Sequence, residues 1–134
     1  MINYEGILYA IENEKNGRAK VVDEKKLKYE DLNIAGWKVK QITLDGMLIK
    51  IYHVAPNAIN SEHVSPVDEV CVVSDGYGEL FLTDEEGKET SVIMCKKGDV
   101  YFQGANTLHG FRNGQKETVL IYIENLHNKN QSGL

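Results

Sequence analysis

Short runs of strand-forming residues dominate this chain, and turn signals separate them. The runs are "GILYAI", "WKVKQITL", "GMLIKIYHV", "EVCVVS", "GELFLTD", "TSVIMC", "DVYFQ", "GFRN" and "TVLIYIEN". The turn pairs between them are Asp45-Gly46, Asp75-Gly76, Glu86-Gly87, Gly98-Asp99 and Asn113-Gly114. No long segment has apolar residues at helical spacing, and "KVVDEKKLKYEDL" holds at most a short helix. Short strands at this spacing predict an all-β sandwich or barrel.

Composition narrows the possible partners. The 134 residues predict one domain, and 42% hydrophobic with 26% charged residues is the ordinary globular range. Because 20 acids outnumber 15 bases, neither nucleic acid nor an anionic membrane surface is expected as a partner. The N-terminus lacks a basic start and a cleavable apolar core, so we expect a cytoplasmic protein. Cys71 and Cys95 lie in apolar runs, which predicts buried free thiols in a reducing compartment.

Two strand runs are apolar on both faces, from Val70 to Val73 and from Val119 to Ile123. Such strands are covered on both sides, by the barrel interior and by a second sheet or a partner subunit. We therefore expect a homodimer, although a two-sheet sandwich alone is the alternative. The predicted division is an N-terminal extension, edge strand or arm (1–36), a β-barrel (37–126) and a polar tail (127–134) that includes a solvated His127.

The stretch "SEHVSPVDEVCVVSDGYGEL" is the first candidate for chemistry. Alternate residues of a strand share a face, so His63 and Ser65 point the same way, and Glu69 and Cys71 do so after a bend at Pro66. If that face is the barrel interior, His63 and Glu69 both point inward.

The second candidate is "KKGDVYFQGANTLHGFRNG". A turn at Gly98 precedes a short strand and a loop, and His109 then opens another strand whose face it shares with Phe111 and Asn113. A tight loop ahead of a histidine is what brings a ligand to the mouth of a barrel.

These two segments resemble the motifs of the cupin family of small jelly-roll barrels. The first family motif, G-x5-H-x-H-x3-4-E-x6-G, corresponds here to His63, Ser65, Glu69 and Gly76. The second, G-x5-P-x-G-x2-H-x3-N, corresponds to Gly98, Gly104, Asn106, His109 and Asn113. The resemblance covers about residues 39–126 and implies an all-β double-stranded β-helix, the jelly-roll or cupin barrel, in one domain.

The departures from the family pattern also carry information. Asn57 and Asn106 replace family glycines, and asparagine tolerates the left-handed backbone that such turns need. Ser65 stands where most metal-binding members have a second histidine, and its hydroxyl is a poor ligand. The resemblance therefore implies a metal site of His63, Glu69 and His109. Two histidines and a carboxylate suit a divalent transition metal, here zinc, iron, manganese or nickel.

The alternative is a pocket that lacks the metal and binds an organic ligand through the same polar groups. Further candidates for the pocket lining are Ser65, Cys71, His53, Gln103 and Phe111. His53 has the strand parity to point inward if "IKIYHV" has no bulge, whereas a surface histidine is its ordinary role. Cys71 is more simply a buried, inert thiol. The aromatic residues predicted as barrel core or sheet cover are Tyr101, Phe102, Phe111 and Tyr122.

Three function classes remain open on the sequence. The first is a metal-dependent enzyme acting on a small polar molecule, of the oxygenase, isomerase or decarboxylase type that the family includes. The second is a metal-free module that binds or senses a small molecule. The third is a scaffold that mainly dimerises.

Overall fold

The computed structural model describes residues 6–14, 17–30 and 32–126, so the predicted tail and His127 lie outside the described residues. Eleven β-strands and one short 3₁₀ turn, Glu24–Lys26, make up its regular structure. The strands are β1 (Ile7–Glu14), β2 (Gly17–Val22), β3 (Trp37–Leu44), β4 (Met47–Val54), β5 (Ile59–His63), β6 (Glu69–Asp75), β7 (Tyr77–Thr83), β8 (Glu89–Lys96), β9 (Val100–Gln103), β10 (His109–Asn113) and β11 (Thr118–Asn125).

The barrel consists of two antiparallel sheets. One has the strand order β3-β4-β11-β6-β9, and the other has the order β5-β10-β7-β8. Strands β1 and β2 pair with each other in a separate two-stranded sheet. This arrangement confirms the predicted all-β jelly roll. No helix in the described ranges is long and apolar enough to span a bilayer.

The turns use the residues that their backbone requires. Asn57 and Asn106 both have φ of 62°, which confirms that these asparagines keep turns for which the family uses glycine. Gly76, between β6 and β7, has φ of 86°, and a Cβ atom there would lie 2.2 Å from Thr118 Oγ1. Only glycine fits this crossing of the two sheets.

The inner face of the five-stranded sheet is layered along the barrel axis. One inner row, Val39–Tyr52–Leu120–Val73, includes the fully buried Leu120. The next row is Lys50–Tyr122–Cys71–Tyr101. The row at the open end is Leu48–Glu124–Glu69–Gln103, where three polar side chains stand side by side on β11, β6 and β9. The interior is therefore apolar at one end and polar at the other.

The outer face of the same sheet is apolar at its centre. Strand register aligns Phe102, Val70, Ile123, Ile49 and Ile42 in one row and Val100, Val72, Ile121 and Ile51 in the next. The prediction that Phe102 belongs to the core or is covered by a sheet is wrong for the described chain. It points outward from the edge strand β9 and is 67% exposed.

Candidate functional site

The polar end of the interior opens into a cavity of about 360 Å³ between the two sheets. Both motif segments line it, through His63, Ser65, Glu69, His109 and Phe111. Two hydrogen bonds, both donated by backbone N–H groups, hold these segments together. Asn106 N donates to Ser65 O over 2.7 Å, and Ala105 N donates to the Asp68 carboxylate over 2.8 Å. The loop before His109 is thereby fixed against the loop before Glu69.

The two candidate histidines are cross-strand neighbours on β5 and β10, and their ring centroids are 4.3 Å apart. His109 is buried, and its Nδ1 lies 2.7 Å from Thr107 O. His63 is exposed, and its Nδ1 lies 3.0 Å from Ser61 O. A carbonyl oxygen only accepts a hydrogen bond, so both Nδ1 atoms donate. In the neutral ring each Nε2 therefore has no proton and carries a lone pair. Burial lowers the pKa of His109 and so favours that neutral form.

Gln103 joins His109 to Glu69 across the gap between the sheets. Its amide nitrogen Nε2 lies 2.7 Å from His109 Nε2 and donates to Glu69 Oε1 over 3.3 Å. Gln103 is only 4% exposed, and its amide oxygen Oε1 is buried without a hydrogen-bond partner among the residues that the structure describes. The side chain was predicted only as a polar group of the pocket or loop.

A second polar group, Glu124 with Lys50, was missed by the sequence analysis. Lys50 Nζ donates to Glu124 Oε1 over 2.8 Å, and both residues line the cavity. Burial, together with a hydrogen bond to Glu124, raises the pKa of Glu69 to about 7. Burial disfavours the charge of Lys50, but the hydrogen bond to Glu124, together with the nearby Tyr52, Glu124 and Glu69 charges, outweighs this and raises its pKa. Strand parity could have found both residues, because Glu124 shares a strand face with the buried Tyr122 and Lys50 shares one with the buried Val54.

Aromatic rings form the wall below these charges. Trp37, Tyr52, Phe111 and Tyr122 all line the cavity. The Trp37 and Phe111 rings meet edge to face with centroids 5.9 Å apart, and Tyr52 meets Tyr122 in the same way at 5.4 Å. A ligand in this cavity therefore has apolar faces beside it and polar groups at one end.

Three residues predicted to line the pocket, Cys71, His53 and Gln103, are not among its lining residues. Cys71 is fully buried in the core below the cavity, where burial raises the pKa of its thiol to about 12. His53 faces out of the barrel because Lys50 and Tyr52 take the inward positions of β4. It contacts Glu24 at 3.2 Å and Glu117 at 3.4 Å instead.

The predicted metal ligands are gathered at one cavity but are not arranged around a common point. Within the ranges that the structure describes, no three His, Cys, Asp or Glu side chains are placed to hold a metal ion. Gln103 lies between two of these predicted ligands, and its amide engages the lone pairs that His109 Nε2 and Glu69 Oε1 would give to a cation. As arranged, these residues do not fit a metal ion. The ligand set His63, Glu69 and His109 stays a prediction.

Comparison with known proteins identifies the fold. No protein-family model and no curated protein matches the chain. Among solved structures, an RmlC-like cupin from Shewanella frigidimarina superposes with a TM-score of 0.63 at 17% identity, covering 75% of this chain and 85% of that one. KdgF from Halomonas superposes with a TM-score of 0.59 at 17% identity, covering 76% and 89%. The chain therefore has the cupin fold, as its motifs predicted.

A tryptophan-to-tyrosine variant of oxalate decarboxylase from Bacillus subtilis gives a TM-score of 0.63 at 13% identity. The match covers 75% of this chain but only 28% of the decarboxylase. That enzyme has Mn(II) centres. At such low identity, these likenesses show the fold alone.

Proposed function

We propose that this chain is a cupin module that binds a small polar organic molecule directly, without an intervening metal ion. The observation that carries the proposal is the cavity itself. Its volume of about 360 Å³ lies in the range of small-molecule sites, roughly 300–1,000 Å³. Apolar walls with a few convergent polar groups are typical of such sites.

The polar end selects the ligand chemistry. Lys50 and Glu124 supply a charged donor and a charged acceptor, and His63 adds an Nε2 acceptor. Glu69 is able to donate or accept near neutral pH, since its pKa is raised to about 7. The matching ligand has several hydrogen-bonding groups at one end and a flat or apolar part that packs on Trp37 and Phe111.

A variant that fills the cavity mouth tests this proposal. Val64 lines the cavity and is 52% exposed, so Val64→Trp adds bulk there without disturbing the core. Val92 on β8 is 47% exposed and does not line the cavity, so Val92→Trp is the matched control. Thermal-shift screening of the metal-free protein against small hydroxy acids, sugars and amino acids identifies a binder. We expect Val64→Trp alone to lose that stabilisation; equal stabilisation in both variants contradicts binding in this cavity.

A metal-dependent enzyme is the second candidate. The approach of the His63 and His109 rings to 4.3 Å favours it, because ligands to one ion must converge. The tautomer of His109 also suits a metal, since a backbone carbonyl holds its Nδ1 and leaves Nε2 free of a proton. A bound ion would act as a Lewis acid on the ligand. Stoichiometric metal in the native protein would favour this candidate over the first.

We also propose that the chain forms a homodimer through the outer face of the five-stranded sheet. Val70, Val100 and Phe102 are 39%, 64% and 67% exposed and belong to the two apolar rows described above. A second copy is the fitting partner, because these rows carry no acid and a chain of net charge −5 can meet itself there without repulsion. Sedimentation of Phe102→Lys should show a monomer, whereas Met94→Lys, 63% exposed on the other sheet, should not change the dimer. A monomeric wild type would refute the dimer.

A further inference from the structure

The side chain of Gln103 lies between two of the three predicted metal ligands, Glu69 and His109. It points inward from the edge strand β9 beside Glu69, its direct cross-strand partner on β6. From there its amide reaches the opposite sheet and meets His109 on β10. One nitrogen atom thereby contacts a histidine from the second motif and the carboxylate from the first.

The hydrogen bonding determines which end of the amide faces the site. His109 Nδ1 donates to Thr107 O, so the neutral ring has only an acceptor at Nε2. The amide NH₂ has two protons, one for His109 Nε2 and one for Glu69 Oε1. Turning the amide around would set its oxygen against the imidazole lone pair and the carboxylate oxygen, which repel it.

This orientation leaves the amide oxygen, Oε1, buried and without a partner among the described atoms. Burying an unpartnered carbonyl is unfavourable. The two bonds made by the nitrogen therefore hold the side chain in an arrangement that its oxygen does not favour.

We propose that Gln103 is an internal substitute for a metal ion, and that it keeps this cupin site in a metal-free form. Its NH₂ group places positive partial charge between two lone pairs, which is the electrostatic role of a cation in such a site. Zinc binds histidine nitrogen at roughly 2.0–2.1 Å and carboxylate oxygen at roughly 2.0–2.2 Å. The amide nitrogen of Gln103 already lies 2.7 Å from His109 Nε2 and 3.3 Å from Glu69 Oε1. A metal ion enters only after Gln103 has given up both bonds.

This inference rests on the proposed metal-free function, but it concerns metal alone, so its test needs no organic ligand. Chelator-stripped wild type, Gln103→Ala and Gln103→Leu are titrated with Co²⁺ and Zn²⁺ by calorimetry, with Co²⁺ absorption as a second readout. Gln115→Leu, in an exposed turn, is the matched control. Gln103→Leu keeps the volume of the side chain in case the alanine variant fails to fold.

We expect at least one Gln103 variant to bind Co²⁺ at one ion per chain and at least ten times more tightly than wild type or Gln115→Leu. Adding His109→Ala should abolish that gain. Equal affinity in wild type and both Gln103 variants overturns the proposal, as does a gain that survives His109→Ala. Neither result measures binding of an organic ligand. The ligand screen with Val64→Trp tests the proposed function separately.

Discussion

Replacing Glu69 with glutamine should change how the stability of this protein depends on pH. The carboxyl group is buried beside Glu124, and its pKa is raised from 4.5 to about 7. Between these two pH values the unfolded chain has lost the proton while the folded chain still holds it. The free energy of unfolding therefore falls as pH rises from about 4.5 to 7. Below this window the group contributes no pH dependence.

The size of the effect follows from the two pKa values. Each pKa unit corresponds to about 1.4 kcal/mol, so the full window corresponds to about 3 kcal/mol. Glutamine is isosteric with the protonated acid, keeps an acceptor for Gln103 and never ionises. Glu69→Gln should therefore become more stable relative to wild type as pH rises from 4 to 8, by at most about 3 kcal/mol because Glu124 shares the titration.

Urea unfolding measures this difference, followed by the fluorescence of Trp37, the only tryptophan and only 6% exposed. Taking the variant minus wild type at each pH cancels the titrating groups that do not interact with residue 69. Glu86→Gln, in the exposed turn between β7 and β8, is the control, and its difference should stay flat within about 0.5 kcal/mol. A flat difference for Glu69→Gln as well, or one of the opposite sign, would refute the reasoning.

Three further predictions concern the core and its polar supports. Asn113→Ala should destabilise the protein by about 3 kcal/mol in urea unfolding, because Asn113 Nδ2 contacts three backbone carbonyls, of Val54, Ala55 and Lys116. A loss below about 1 kcal/mol would show that water replaces these bonds. Leu120→Ala should cost about 3 kcal/mol in the same assay, because the side chain is fully buried, and a loss near zero would contradict the packing. The thiols of Cys71 and Cys95 should react with a disulfide reagent at pH 8 only after unfolding, because both are buried and have raised pKa values; rapid reaction of the native protein would contradict this.

The sequence predicted nine of the eleven described strands, and the turns between them, because these signals are local, whereas β2 and β5 were not among the predicted strand runs. Alternation within strands depends on nearest neighbours, and the left-handed turns at Asn57 and Asn106 need only a tolerant residue. The resemblance to cupins also predicted that His63, Glu69 and His109 lie at one cavity, and all three line it.

The missed features depend on register between strands distant in sequence. Gln103 lies opposite Glu69 only through the pairing of β9 with β6, and Glu124 meets Lys50 only through the packing of β11 beside β4. Phe102 was assigned to the core because aromatic residues are usually buried, but β9 is an edge strand whose outer side nothing covers in the described chain. The division at residues 36 and 126 stays a prediction, as do the cytoplasmic location and the absence of a nucleic-acid partner.

Counting metal ions in the native protein, purified without chelators or an affinity metal, is the most direct test of this account. Elemental analysis should find well under one transition-metal ion per chain, because the amide of Gln103 occupies the space between His109 and Glu69. One firmly held ion per chain, released on changing His63 or His109 to alanine, would contradict it.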